Sequence, residues 1–232
     1  MPHTAFATQG FALLPGVLTA SECAQLAAQA TPPGNDNISG GTRCLLAQPW
    51  CAALAQRLQG LPALSAFFAS QAVAVQCTYF EKTAARNWLV PLHQDLSIPV
   101  AARVEHAGLQ GWSEKEGDIF VQPPAQVLAQ LVAVRLHLDP CQPEDGALRV
   151  VPGSHRDGVL SPEKASTWRD EAGEVVCSAA AGTALVMRPL LLHASSKATG
   201  SSRRRVLHFV FGPRELPHGL GWRRVVSPDI CY

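Results

Sequence analysis

Residues 72–80, "AVAVQCTYF", decide the architecture. Val73, Val75, Cys77 and Tyr79 alternate with Ala74, Gln76, Thr78 and Phe80, the period of two that a β-strand with two different faces requires. Before this point the pattern is helical. "LTASECAQLAAQA" (18–30) sets Thr19 three residues ahead of Glu22, a capping-box spelling, with Leu18 and Cys23 at the flanking staple positions. "QPWCAALAQRLQG" (48–60) carries Pro49 near its start and Gly60 at its end. "LPALSAFF" (61–68) reads as a further short helix, and "TPPGNDNISGG" (31–41) as a turn-rich loop.

After residue 72 the strand signal repeats. "QLVAVRLHL" (130–138), "ALRVV" (147–151), "EVVCS" (174–178), "TALVM" (183–187) and "RVLHFVF" (205–211) are short apolar runs parted by Gly- and Pro-rich turns. Many short strands with no helix between them predict an antiparallel double sheet, a jelly roll, with flanking helices. No repeat or linker divides the chain. The expectation is one domain over 1–232, helical over about 1–70 and a β core over about 72–232. Residues 100–130 are weakly periodic and stand apart, either as a lid or binding loop or as an excursion with one short helix.

The composition narrows the partners. A net charge of +1 and a charged fraction of 16% give no electrostatic footprint for nucleic acid. The one dense basic run, Arg203–Arg205, is too short for a polyanion-binding tail. Seven cysteines, an odd number with no C-x-x-C pair, read as reduced thiols used as small hydrophobes. The N-terminus lacks a basic region followed by an apolar core, and no apolar stretch reaches the roughly 20 residues of a membrane span. A cytoplasmic protein acting on a small molecule, with neither nucleic acid nor membrane as partner, is expected; oligomeric state is not legible.

His-x-Asp occurs three times, at His93/Asp95, His137/Asp139 and His155/Asp157. On a strand, residues i and i+2 share a face, so each copy can present an imidazole beside a carboxylate. A second His completes the 2-His-1-carboxylate facial triad, which binds Fe(II) and leaves positions open for chemistry. His155 lies in the turn "VPGSHRDG", where a shared face is not required. Asp139 precedes Pro140 and reads as the start of a turn, so Arg135 and His137 suit a pocket lining near a bound anion. His93 and Asp95, in "PLHQDLSIPV" (91–100), have apolar flanks and a downstream partner, His193, in "MRPLLLHASS" (187–196). The hairpin-like return after His193 suggests that its strand pairs with the next one, setting an arginine across the sheet from it. An arginine there suits a cosubstrate with a chelating end and a distant carboxylate. Arg188 is a further candidate for an anion-binding pocket.

The segments "NWLVPLHQDLSIPV", "EDGALRVVPGSHRDG" and "MRPLLLHASSKATGSSRRRVLHFVF", with the opening "GFALLPGVLTASECAQL", resemble in order the phytanoyl-CoA dioxygenase family of Fe(II)/2-oxoglutarate-dependent oxygenases. The resemblance spans nearly the whole chain. It implies a double-stranded β-helix of cupin-like form, metal ligands His93, Asp95 and His193, and an Arg204 that grips the distal carboxylate of 2-oxoglutarate with help from Ser195. It also implies O2 as oxidant, succinate and CO2 as coproducts, and hydroxylation of an unactivated C–H bond. Ala198 and Leu92 stand where members often have Asn and Trp, which affects pocket detail. An Asp at 95 argues against a halogenase. The alternative from another class is a non-catalytic cupin-like metal- or ligand-binding protein.

Overall fold

A computed structural model describes residues 2–31, 41–200 and 202–228; most of the turn-rich 31–41 segment lies outside the described residues. Among the described residues, twelve strands form three antiparallel sheets. In chain order they are β1 (Phe11–Leu14), β2 (Val73–Lys82), β3 (Val90–His93), β4 (Ile98–Val100), β5 (Gln110–Lys115), β6 (Asp118–Gln122), β7 (Val132–His137), β8 (Leu148–Val150), β9 (Val175–Val176), β10 (Ala184–Met187), β11 (His193–Ser195) and β12 (Arg204–Gly212). The large sheet has the order β1-β10-β7-β12-β2, the small sheet β3-β11-β8-β9, and a third sheet β4-β6-β5. Large and small sheets share a buried layer in which Ala133, Leu185 and Met187 meet Leu148 and Val150, as expected of a jelly roll.

Six α-helices accompany them among the described residues: α1 (Pro2–Gln9), α2 (Ala20–Ala30), α3 (Pro49–Gly60), α4 (Pro62–Ser65), α5 (Ala125–Leu128) and α6 (Pro162–Ala172). The capping box of α2 forms as its spelling predicts. Thr19 Oγ1 accepts from the Glu22 amide, and Glu22 Oε2 accepts from the Thr19 amide at 2.7 Å. Cys23 and Ala27 of α2 and Leu54, Ala55 and Leu58 of α3 join the outward side chains of the large sheet, Cys77, Tyr79, Leu207 and Phe209, in one core.

Two expectations need correcting. The first seventy residues are not wholly helical, because Phe11–Leu14 adds an edge strand to the large sheet through β10; four residues between Gly10 and Pro15 are too few to show a period. A helix does sit between strands: α6 is capped by Ser161 and ended by Gly173, signals that the strand-dominated pattern concealed. Residues 100–130 contain the one short helix of the second alternative, α5, together with the β5–β6 hairpin, which neither alternative named. Glu116 and Gly117, both with positive φ, make its two-residue turn, which matches the twist of the flanking strands.

Candidate metal and cosubstrate site

His93 ends β3 and His193 opens β11, and the two are register partners across that antiparallel pair. Their rings lie 4.2 Å apart, centroid to centroid. Asp95 lies beyond the end of β3, so strand alternation does not aim it. Its amide donates to the Pro189 carbonyl at 2.9 Å. Gln94 is fixed the other way: its side-chain amide donates to the carbonyls of Gly158 and Leu190, and its oxygen accepts from the Leu160 amide. With Gln94 held outward, Asp95 turns inward.

Asp95 Oδ1 is 3.8 Å from His93 Nε2, and Oδ2 is 3.7 Å from His193 Nε2. One ligand atom from each of the three residues lies within 4.8 Å of the others. His93 Nδ1 lies 2.8 Å from the Pro91 carbonyl and His193 Nδ1 2.9 Å from the Leu191 carbonyl. A carbonyl accepts only, so each Nδ1 carries the proton and each Nε2 lone pair faces the common centre. Burial lowers the His193 pKa to about 4, despite the opposing pull of Asp95, and keeps the ring neutral. Burial works against the charge on Asp95, but His193, His208, His93 and Arg135 outweigh it and hold its carboxyl below the usual range. Two imidazoles and one carboxylate suit an Fe(II) ion with open positions.

The other His-x-Asp copies are committed elsewhere. Asp139 accepts two side-chain hydrogen bonds and one backbone hydrogen bond from Arg205. His137 is buried with Nδ1 at 3.2 Å from the Thr183 carbonyl, outside the cavity. Asp157 accepts from the Trp168 indole. Arg188 lies over the Phe6 ring and donates to the Ala129 carbonyl, also away from the cavity. Its position beside the site in sequence comes from a turn that carries the side chain the other way.

Arg204 does reach the cavity, though by another route than pairing with the strand of His193. That strand, β11, pairs with β3 and β8, whereas β12 belongs to the large sheet. The side chain crosses the interior from the facing sheet. It is 4% exposed; one terminal nitrogen donates to the Gly146 carbonyl, and its Nε is buried with no partner. Opposite Arg204 in register stands Lys82, which is 1% exposed. Lys82 Nζ donates to Ser195 Oγ at 2.6 Å and to the Ser196 carbonyl at 2.7 Å, and lies over the Trp88 ring. Burial and the neighbouring Arg204 and Arg135 lower its pKa to about 7. Two buried cations, one with an unpaired donor, fit a carboxylate that neither the sheet nor its loops supply. Lys82 was illegible in sequence as a site residue; only its odd place at the end of an apolar strand hinted at it.

Between the two sheets lies a cavity of about 530 Å³ that includes all three triad residues, Ser195, Arg135 and Arg204. Arg135 donates to His208 Nδ1 at 3.2 Å and lies over Phe80.

The family model for phytanoyl-CoA dioxygenase (PhyH) matches residues 6–206. Among solved structures, apo EctD from S. alaskensis superposes with a TM-score of 0.71 at 19% identity, covering 97% of this chain and 85% of that one. HygX from Streptomyces hygroscopicus with nickel and 2-oxoglutarate bound gives 0.62 at 21% identity, covering 98% and 96%. SnoK, a non-heme alpha-ketoglutarate-dependent carbocyclase of nogalamycin biosynthesis, gives 0.64 at 16% identity, covering 92% and 83%. These likenesses show a shared fold. No curated protein sequence matches the chain. With the family match running from α1 into β12, the chain belongs to the phytanoyl-CoA dioxygenase family and is an Fe(II)/2-oxoglutarate-dependent dioxygenase.

Proposed function

We infer that His93, Asp95 and His193 hold the iron, that Arg204, Lys82 and Ser195 hold the distal carboxylate of 2-oxoglutarate, and that the enzyme hydroxylates a C–H bond of a small molecule in the cytoplasm. The observation that carries this reading is the meeting of a His-Asp-His triad and the buried Arg204 in one cavity, with buried Lys82 beside Arg204 in register. When bound, Fe(II) and 2-oxoglutarate supply with O2 the oxidising equivalent for the C–H bond, and leave succinate and CO2 as coproducts. The protein's part is positional. The Pro91 and Leu191 carbonyls fix the ring orientations of His93 and His193, and Gln94 fixes the turn that presents Asp95. Arg204 and Lys82 set the distance of the cosubstrate from the triad. Phe80, Phe120, Leu131 and Val210 leave an apolar, water-poor volume for the substrate.

A single domain over 1–232 is supported by β1, which ties the N-terminal part into the large sheet, and by the core that α2 and α3 share with it. Six described cysteines, all free, support a reducing compartment, and no described helix is long and apolar enough to cross a membrane. A small-molecule substrate is supported by the cavity's size and by HygX, whose structure has hygromycin B bound. The non-catalytic alternative gains nothing from the site, where all three triad residues and Arg204 are in place.

Anaerobic iron titration together with 2-oxoglutarate-dependent succinate release tests the assignment. One iron per chain and succinate release, coupled or uncoupled, are expected. His193→Ala should lose both, and Arg204→Ala should retain iron while weakening 2-oxoglutarate about 10- to 100-fold, the worth of lost charge-assisted hydrogen bonds. Full iron binding and turnover in His193→Ala would sink the metal assignment.

A further inference from the structure

The charges lining the cavity do not balance, even after the cofactors are counted. Its described lining residues include the cations Arg43, Lys115, Arg135 and Arg204, and a single carboxylate, Asp95. Arg43 is neutralised by Glu116, which accepts its backbone amide and lies 3.6 Å from its guanidinium. On the reading proposed above, a divalent iron is balanced by Asp95 and the chelating carboxylate of 2-oxoglutarate, and Arg204 by the distal one. Arg135 and Lys115 are then left over.

Among the described residues neither forms an ion pair, and the carboxylate that both feel, Asp95, is the one assigned to the metal. Arg135 is buried, its one hydrogen-bond partner is a histidine, and its Nε has no partner. Lys115 stands at the tip of the β5–β6 hairpin with Nζ 4.8 Å from the Phe120 ring centroid, and Asp118, its cross-strand partner, is taken by Arg223. A cation without a counterion in a low-dielectric cleft is costly, and such a cleft concentrates anions. The walls beside these charges are apolar, with Phe80, Phe120, Leu131 and Val210 facing in. A cavity of about 530 Å³ that also houses 2-oxoglutarate leaves room for only a small second molecule.

We propose that the substrate is a small organic anion, an apolar body ending in a carboxylate or phosphate, and that Lys115 pairs with that end and thereby sets which C–H bond faces the iron. This inference rests on the proposed metal and cosubstrate assignment. Arg135 keeps the surrounding potential positive from the far wall. Lys115 is a specificity residue, outside the triad and outside the grip on 2-oxoglutarate.

The test is equilibrium binding to the anaerobic enzyme loaded with Fe(II) and saturating 2-oxoglutarate. The probes are two pairs matched in shape but not in charge: octanoate with octanamide, and phenyl phosphate with phenyl methanesulfonate. At least one anion is expected to bind tenfold or more tightly than its neutral partner. Lys115→Met should erase that preference, Lys115→Arg should keep it, and both variants should bind 2-oxoglutarate as the parent does. Equal binding within each pair, no binding by either anion, or a preference that survives Lys115→Met would overturn the proposal. A separate titration with 2-oxoglutarate alone reports on the underlying assignment, so failure of one is not mistaken for failure of the other.

Discussion

Lys82 joins burial to chemistry at a single residue. Its amine loses water inside the sheet sandwich and sits near two guanidiniums, so its pKa falls to about 7. A bound carboxylate favours the charged form and raises that pKa, so cosubstrate binding takes up a proton. The sign follows: 2-oxoglutarate affinity is level below about pH 7, then falls by up to tenfold per pH unit until the bound-state pKa is reached. Calorimetry in buffers of differing ionisation enthalpy should show proton uptake above pH 7, and Lys82→Met should abolish it. A parent enzyme with no uptake would contradict the role. The sequence disclosed the other polar residues of the site unevenly. His93, Asp95, His193 and Arg204 stood out because each lies in a short motif whose order is itself the signal. Lys82 and Gln94 did not, since their meaning comes from Ser195, Leu190 and Gly158, which lie far away in the chain. Arg188 and His137 misled for the opposite reason: a charged or polar residue on an apolar run looks like pocket lining until its actual partner is seen.

Among elements, the turn before β8 shows how backbone shape serves the cosubstrate pocket. Gly146 has φ +69°, and its carbonyl accepts from Arg204. A Cβ there would meet the Ser196 carbonyl at 2.5 Å and Lys82 Nζ at 3.3 Å. Gly146→Ala should therefore weaken 2-oxoglutarate binding by about tenfold, while the left-handed backbone costs about 1–3 kcal/mol and lowers the melting temperature by several degrees. Iron binding should persist, which separates this effect from unfolding; unchanged 2-oxoglutarate affinity would count against the contact. Strong periodicity made β2, β7, β10 and β12 legible, as it did α2 and α3. The short strands β3 and β4 escaped because three or four residues cannot display a period, and the strand expected to end at His193 instead begins there, held by partners that only the folded chain supplies. The β5–β6 hairpin escaped for another reason. Its faces are both largely polar or half-buried, so alternation carried little contrast.

For the molecule as a whole, the sequence was sufficient for the layer architecture and the family, whose motifs span the chain, but not for which sheet each motif joins. Helices α2 and α3 cover the outer face of the large sheet, leaving its inner face to the cavity. His93 and His193 belong to the small sheet, and Lys82 and Arg204 to the large one. On the proposed assignment, 2-oxoglutarate would be a removable rivet: one end held through iron to the small sheet, the other gripped by Lys82 and Arg204 of the large sheet beside Ser195 of the small one. The Lys82–Ser195 hydrogen bond already joins the walls, and iron with 2-oxoglutarate would add a second tie that neither makes alone. Calorimetric melting should accordingly show a greater gain for Fe(II) and 2-oxoglutarate together than the sum of their separate gains. Succinate keeps two carboxylates but lacks the keto oxygen that completes the chelate, so on that assignment it should slacken the joint as turnover ends, and spending the cosubstrate would also unfasten the two walls.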